Sequence, residues 1–207
     1  IAEQDGRYVL ASVVDITERI ESQQHIEKLI NYDALTGLPN RRLLKDRVDH
    51  AIQIAQRVRA RLAVLFLDLD RFKYVNDTLG PQMGDALLVE VANRLAGAVR
   101  SSDTLARVGG DEFVIVLSDA DEDAIARVAS NILHLVSKSY TAQQHELVVT
   151  PSIGIAMYPN DGEDFETLLQ HADTAMSKVK EDSRNDFRLF AKEMQQRTAR
   201  VLQLDVA

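Results

Sequence analysis

The sequence predicts an α+β domain with an antiparallel central sheet flanked by helices. Three observations carry that expectation. Apolar runs of strand character at 62–67, on either side of Gly109-Gly110 within 105–117, and at 147–157 are separated by stretches of helical spacing. The order is strand, helix, strand, strand, helix, strand, which is the ferredoxin-like split βαβ arrangement. The two middle strands meet at Gly109-Gly110, a pair suited to the positive φ of a tight hairpin turn.

The elements follow in order. Residues 7–16 read as one strand with nothing nearby in sequence to pair with, consistent with the end of a preceding domain. Residues 17–30 are helical and charged in composition, with Ile20, Ile26, Leu29 and Ile30 too irregular for a coiled coil. A short connecting helix is the plain expectation and a dimerising signalling helix the sharper one. In Asp33 to Arg42, Gly37 and Pro39 stop one element and Asn40 can cap the next. The helix that follows runs to about Val58, with Leu44, Val48, Ala51 and Ala55 at helical spacing. Leu62 to Leu67 is a continuous apolar run, as for a strand covered on both faces, and it ends abruptly in Asp68-Leu69-Asp70.

Arg71 to Asp77 is mixed in character and leads to turn-forming Gly80, Gly84 and Asp85. A helix from Asp85 to Val99 then carries Leu87, Leu88, Val91 and Leu95 on one face, with Asp85 in N-cap position. After the hairpin a helix spans Glu122 to Lys138. The strand Leu147 to Met157 is interrupted by Pro151 and Gly154, which predicts an edge position or a bulge. A helix from Phe165 to Lys180 and a short strand from Phe187 to Phe190 complete the domain.

Right-handed crossovers make the first and third strands antiparallel central neighbours. The end of the first then lies beside the start of the third, which brings Asp68 to Asp111. Acids at the tip of a buried hairpin need a cation, a basic ligand or open water. For Asp70, Asp77 and Asp119, water is the expectation. For Asp68 and Asp111 together, with two glycines clearing space, a shared divalent cation is favoured. Mg²⁺ is the natural candidate, because it takes one or two carboxylates and completes its shell with water and phosphates. Phosphoryl or nucleotidyl transfer follows from that combination.

Composition bounds the partners. The 207-residue chain is 45% hydrophobic, which suits one core with appendages. Its net charge of −8 argues against nucleic acid held on a general basic surface. The absence of cysteine excludes a disulfide framework and thiolate metal sites. No apolar run is long enough to span a bilayer and nothing resembles a signal peptide, so a cytoplasmic setting is expected. The chain opens on Ile1, which reads as a segment of a longer protein, one whose other segments leave room for a membrane anchor.

Gly109-Gly110-Asp111-Glu112-Phe113 resembles the signature of the GGDEF family, the diguanylate cyclases, which are similar in fold to nucleotidyl cyclases and polymerase palms. The resemblance extends over 31–191 through Asp33-Ala34-Leu35-Thr36-Gly37-Leu38-Pro39-Asn40-Arg41, Phe66 to Lys73, Asn76-Asp77 with Gly84-Asp85, and Ala172 to Lys180 with Ser183-Arg184-Asn185. It implies condensation of two GTP to cyclic di-GMP across a homodimer of half-sites. The alternative is a catalytically weak or silent GTP-binding module that controls an adjacent EAL phosphodiesterase.

The resemblance also implies roles. Asp68, the carbonyl of Leu69 and Asp111 would hold Mg²⁺, or Mn²⁺ in its place. Asp111 would help deprotonate the ribose 3′-hydroxyl, and Glu112, the second catalytic candidate, would lie near the phosphates or the metal shell. The backbone at Arg71, Phe72 and Lys73 would cradle the terminal phosphates. Asn76 and Asp85 would read guanine, and Lys180 and Arg184, four apart on one helix face, would meet the triphosphate. Arg100 and Asp103 match the RxxD inhibitory site for cyclic di-GMP, while Asn131 stands where a second inhibitory arginine is common. Pro81, Ser177 and Ser183 depart from the residues usual there. The flanks resemble known neighbours: 1–16 the exit of a PAS sensor, 17–31 a signalling helix, and 192–207 the linker into an EAL phosphodiesterase, around a cyclase domain at 32–191.

Overall fold

The computed structural model describes residues 2–4, 7–9, 28–142 and 145–194. The chain divides into two units, 1–30 and 31–207. In the first, β1 (Ala2–Gln4) and β2 (Arg7–Val9) pair antiparallel, so the strand expected to stand alone has a partner seven residues or fewer away. The rest of that strand, most of the connecting helix and the C-terminal linker from 195 lie outside the described residues; 28–31 are helical.

The second unit is built from α1 (Arg41–Val58), β3 (Leu62–Leu69), α2 (Phe72–Leu79), α3 (Pro81–Ala98), β4 (Thr104–Gly109), β5 (Glu112–Ser118), α4 (Glu122–Val136), β6 (Tyr140–Ala142), β7 (His145–Leu147), β8 (Pro151–Tyr158), α5 (Phe165–Asp182) and β9 (Phe187–Leu189). Five strands form one sheet in the order β4-β5-β3-β8-β9. The ferredoxin-like centre is antiparallel as expected, and β9 adds a parallel edge to β8, so the whole sheet is mixed. Three helices start where side-chain oxygens cap free amides: Asn40 accepts from Arg42 and Leu43, Asp121 from Ala124, and Asp164 from Thr167.

Both faces of the sheet are covered, which explains why β3 is apolar at successive positions. Ala63, Leu65 and Leu67 face α2, α3 and α4 with Val75, Leu88, Leu95, Ile125 and Ile132. Leu62, Val64 and Phe66 face α1 and α5 with Leu44, Val48, Leu168 and Ala172. Three expectations need correcting. The mixed stretch after Arg71 is a helix, α2. The next helix begins at Pro81, where a missing N–H costs nothing, so Asp85 lies inside α3 and is no N-cap. Finally, β8 is an internal strand with Pro151 as its first residue, and it is buried throughout. Gly154 marks a close approach: a Cβ there would lie 1.9 Å from the Ala172 carbonyl oxygen of α5. No described helix is long and apolar enough to cross a membrane.

Candidate active site

The hairpin brings the acids to the end of β3, with a shift from the expected pairing. Glu112 is the residue directly across from Asp68, and Asp111 sits one residue earlier in the turn, after Gly110 at φ 41°. Asp68 is buried. Its Oδ1 lies 2.6 Å from Lys180 Nζ of α5, without a hydrogen bond of good direction. Burial pushes the Asp68 carboxyl up to about 6; the charges of Asp111 and Glu112 add to the rise and Lys180 opposes it. Glu112 is also raised, first by burial and then by the charges of Asp173 and Asp111.

The sign of the Asp68 shift gives a stability prediction. Between 3.8 and about 6 the folded protein binds a proton that the unfolded chain releases, so Asp68 favours folding increasingly as pH falls through 6. Denaturant titrations of metal-free protein should therefore show Asp68→Asn gaining stability over the wild type above pH 6, with the gap closing toward pH 4. A difference that does not vary with pH would contradict this assignment.

Among the described residues no three His, Asp, Glu or Cys side chains are grouped to hold a metal. Two carboxylates on hard oxygen, one already facing the ammonium of Lys180, fit a divalent cation that draws its remaining ligands from water and phosphate. Leu69, whose carbonyl belongs to the expected set, is the last residue of β3.

Asp70 was expected to be solvated and is instead a buried hub, 6% exposed. It accepts from Thr150 Oγ1 at 2.6 Å, Ser152 Oγ at 2.8 Å and the Asn185 amide at 3.2 Å. Its Oδ1 is also 4.0 Å from Arg184 Nε. Arg184 and Asn185 both have positive φ and follow the end of α5 at Asp182, so Arg184 and Lys180 do not share a helix face. Asp70 thus anchors the turn that carries Arg184. The signal available was the pair of hydroxyls Thr150 and Ser152 at the start of a partner strand.

Arg71 precedes α2 at φ 59°, and no side chain caps the amides of that first turn. Phe72 is buried, while Arg71 and Lys73 are exposed. Asn76 on α2 is half-buried and Asp85 on the adjoining α3 is exposed.

Arg107 also emerges only in the structure. Its Nε and Nη2 donate to the Gly110 carbonyl at 3.0 and 2.7 Å, and its Nη1 donates to Asp33 Oδ1 at 2.9 Å. Burial of Asp33 is outweighed by the Thr36 hydroxyl and amide and by Arg107, which hold its carboxyl below the usual value. One guanidinium therefore ties the Asp33 loop to the Gly-Gly turn. Arg107→Ala is expected to cost about 1–2 kcal/mol, because the exposed Gly110 carbonyl and the part-buried Asp33 carboxylate lose a charged donor. Urea unfolding measures it, and a loss below about 0.5 kcal/mol would show the clamp to be idle.

Arg100 and Asp103 close a turn of their own: the Arg100 amide donates to Asp103 Oδ2 at 2.9 Å and the Asp103 amide to the Arg100 carbonyl at 3.0 Å. They line a small cavity of about 130 Å³ that also receives Arg127 of α4. Asn131 is not among its lining residues.

The model of the family described as "Diguanylate cyclase, GGDEF domain" matches residues 30–186. The chain belongs to the GGDEF family. It is 42% identical over 200 residues to the bifunctional diguanylate cyclase/cyclic di-GMP phosphodiesterase MucR of Pseudomonas aeruginosa, covering 97% of this chain and 29% of MucR. It is 39% identical to the cyclic di-GMP phosphodiesterase PdeR of Escherichia coli, covering 96% of this chain and 30% of PdeR. The chain thus spans under a third of either relative. The structure of an N-terminally truncated TpbB from P. aeruginosa comprising only its GGDEF domain superposes with a TM-score of 0.77 at 38% identity, covering 84% of this chain and 99% of that one. The coiled coil and GGDEF domain of DgcB from Caulobacter crescentus, solved with c-di-GMP, gives 0.76 at 26% identity, covering 83% and 92%. GGDEF diguanylate cyclases depend on a divalent metal.

Proposed function

We propose that this GGDEF domain condenses two GTP into cyclic di-GMP and two pyrophosphates, with each of two facing domains supplying one half-site. The observation that carries this reading is the buried Asp68 at the end of β3, with Glu112 across from it, Asp111 in the adjoining turn and Lys180 at 2.6 Å. Asp68, the Leu69 carbonyl and Asp111 would hold Mg²⁺, or Mn²⁺ in its place. Bound there, the ion lowers the pKa of the ribose 3′-hydroxyl and offsets charge on the departing pyrophosphate.

The chain's own residues then divide the remaining work. Asp111 accepts the 3′-hydroxyl proton as that oxygen attacks the α-phosphorus of the opposed GTP, and the bond to the β-phosphate bridging oxygen breaks. Glu112, whose carboxyl burial and the charges of Asp173 and Asp111 push up, lies beside the phosphates. The first-turn amides of α2, at Phe72 and Lys73 after Arg71, cradle the terminal phosphates. Lys180 exchanges Asp68 for a phosphate oxygen, and Arg184 reaches the triphosphate from the turn anchored at Asp70. Asn76 and Asp85 read the base: a carboxylate accepts from guanine N1 and N2, and an amide pairs with its acceptors.

Cyclic di-GMP is also the ligand proposed for Arg100 and Asp103, as a feedback inhibitor. In the proposed parent a PAS-like segment at 1–16 and a signalling helix at 17–31 precede the cyclase domain at 32–191, with an EAL phosphodiesterase beyond 192–207; the phosphodiesterase activities of MucR and PdeR support the last of these. Use of GTP argues for a cytoplasmic site of action. The half-site mechanism is tested by turnover per protomer across a range of protein concentrations. It should rise with concentration as dimers form and reach a plateau when a fused coiled coil forces pairing. A rate per protomer unaffected by either would remove the paired mechanism.

A further inference from the structure

Gly84 stands in the first turns of α3 and is buried. Glycine in a helix sacrifices propensity relative to alanine, so a physical reason for it is expected. Conformation is not that reason, because Gly84 is not among the residues at positive φ. Space is. A Cβ at 84 would lie 1.8 Å from Asn76 Oδ1 and 2.9 Å from Asn76 Cγ, with Phe72 Cζ at 3.1 Å. The side-chain amide of Asn76 occupies the volume that any other residue at 84 would fill.

We propose that Gly84 is a specificity-determining residue for the nucleobase: the space it leaves holds the Asn76 amide against α3, on the same helix that presents Asp85, so that both groups meet guanine together. The inference rests on the reading of Asn76 as a base contact. The atoms that must give way to a new Cβ are the end of a flexible side chain and the tip of a ring, not main chain. Gly84→Ala should therefore fold, gain helix propensity, and turn the amide of Asn76 away from its place. Gly84 acts through Asn76 and is a positioning residue.

A double-mutant cycle in the full 207-residue chain tests this, with binding measured calorimetrically in Mg²⁺ for guanosine 5′-(α,β-methylene)triphosphate and for inorganic tripolyphosphate. Gly84→Ala and Asn76→Ala should each weaken the guanine nucleotide by roughly tenfold or more and leave tripolyphosphate affinity unchanged, since only the base contact is touched. The double variant should be no worse than Asn76→Ala, because alanine at 76 vacates the contested space. Thermal unfolding of Gly84→Ala should stay at or above the wild-type midpoint. Undiminished nucleotide affinity in Gly84→Ala, or losses that add to those of Asn76→Ala, would overturn the inference while leaving the base-reading role of Asn76 standing. Undiminished affinity in Asn76→Ala would overturn both. Equal losses for nucleotide and tripolyphosphate in Gly84→Ala would overturn it in favour of general damage to the pocket.

Discussion

Asp111→Ala should lower cyclic di-GMP formation by about 10²-fold or more while the domain stays folded. The activity loss follows from the roles proposed for Asp111: one of two metal-holding carboxylates and the acceptor for the 3′-hydroxyl proton. Removing a single preorganised group of that kind costs about two to three orders of magnitude in other active sites. Retention of the fold follows from the same geometry. Asp111 lies in the two-residue turn between β4 and β5 and is half-buried. Its charge raises the Asp68 pKa, so its removal relieves repulsion in the metal-free protein. Turnover within tenfold of wild type would take Asp111 out of the mechanism.

Gly154→Ala is expected to cost about 3 kcal/mol or more, a large share of the roughly 5–15 kcal/mol typical of a domain. The new Cβ would sit 1.9 Å from the Ala172 oxygen, 2.2 Å from the Met176 nitrogen and 2.9 Å from the Ala175 carbonyl carbon, all main chain of α5. No side chain can rotate to relieve that, so α5 would have to withdraw from β8. Lys180 rides on the same helix, and its approach to Asp68 would be lost with the packing. A shift in the urea midpoint equivalent to less than about 1 kcal/mol would show that the helix yields cheaply. The contrast with Gly84 is instructive: there the obstruction is a movable amide, and the expected loss is in recognition and not in stability.

The sheet was legible because periodicity reports burial. An unbroken apolar run means two covered faces, and β3 has them; alternation of its residues between the two halves of the core follows from the pleat. Strand order and handedness then brought Asp68 to the hairpin. The one-residue difference between Asp111 and Glu112 as its direct neighbour is a matter of register, which a hairpin turn sets and composition does not. The burial of Asp70 is not legible in the sequence, because the hydroxyls that satisfy it, Thr150 and Ser152, lie at least 80 residues away. The tie from Arg107 to Asp33 is hidden for the same reason, since the two are 74 residues apart. The strands β6 and β7, three residues each, are too short to show any period. Gly154 looks like a strand interruption in sequence, because a glycine that admits a helix and one that admits a bulge are alike until the helix is placed.

The most direct test is chromatographic identification of the product after incubating the chain with GTP and Mg²⁺, with dimerisation forced by a fused coiled coil. Cyclic di-GMP accompanied by two pyrophosphates per molecule, and lowered by about 10²-fold or more with Asp111→Ala, is the expected result. Saturable GTP binding by the forced dimer without any cyclic dinucleotide would contradict the cyclase assignment and leave a nucleotide-binding regulatory domain.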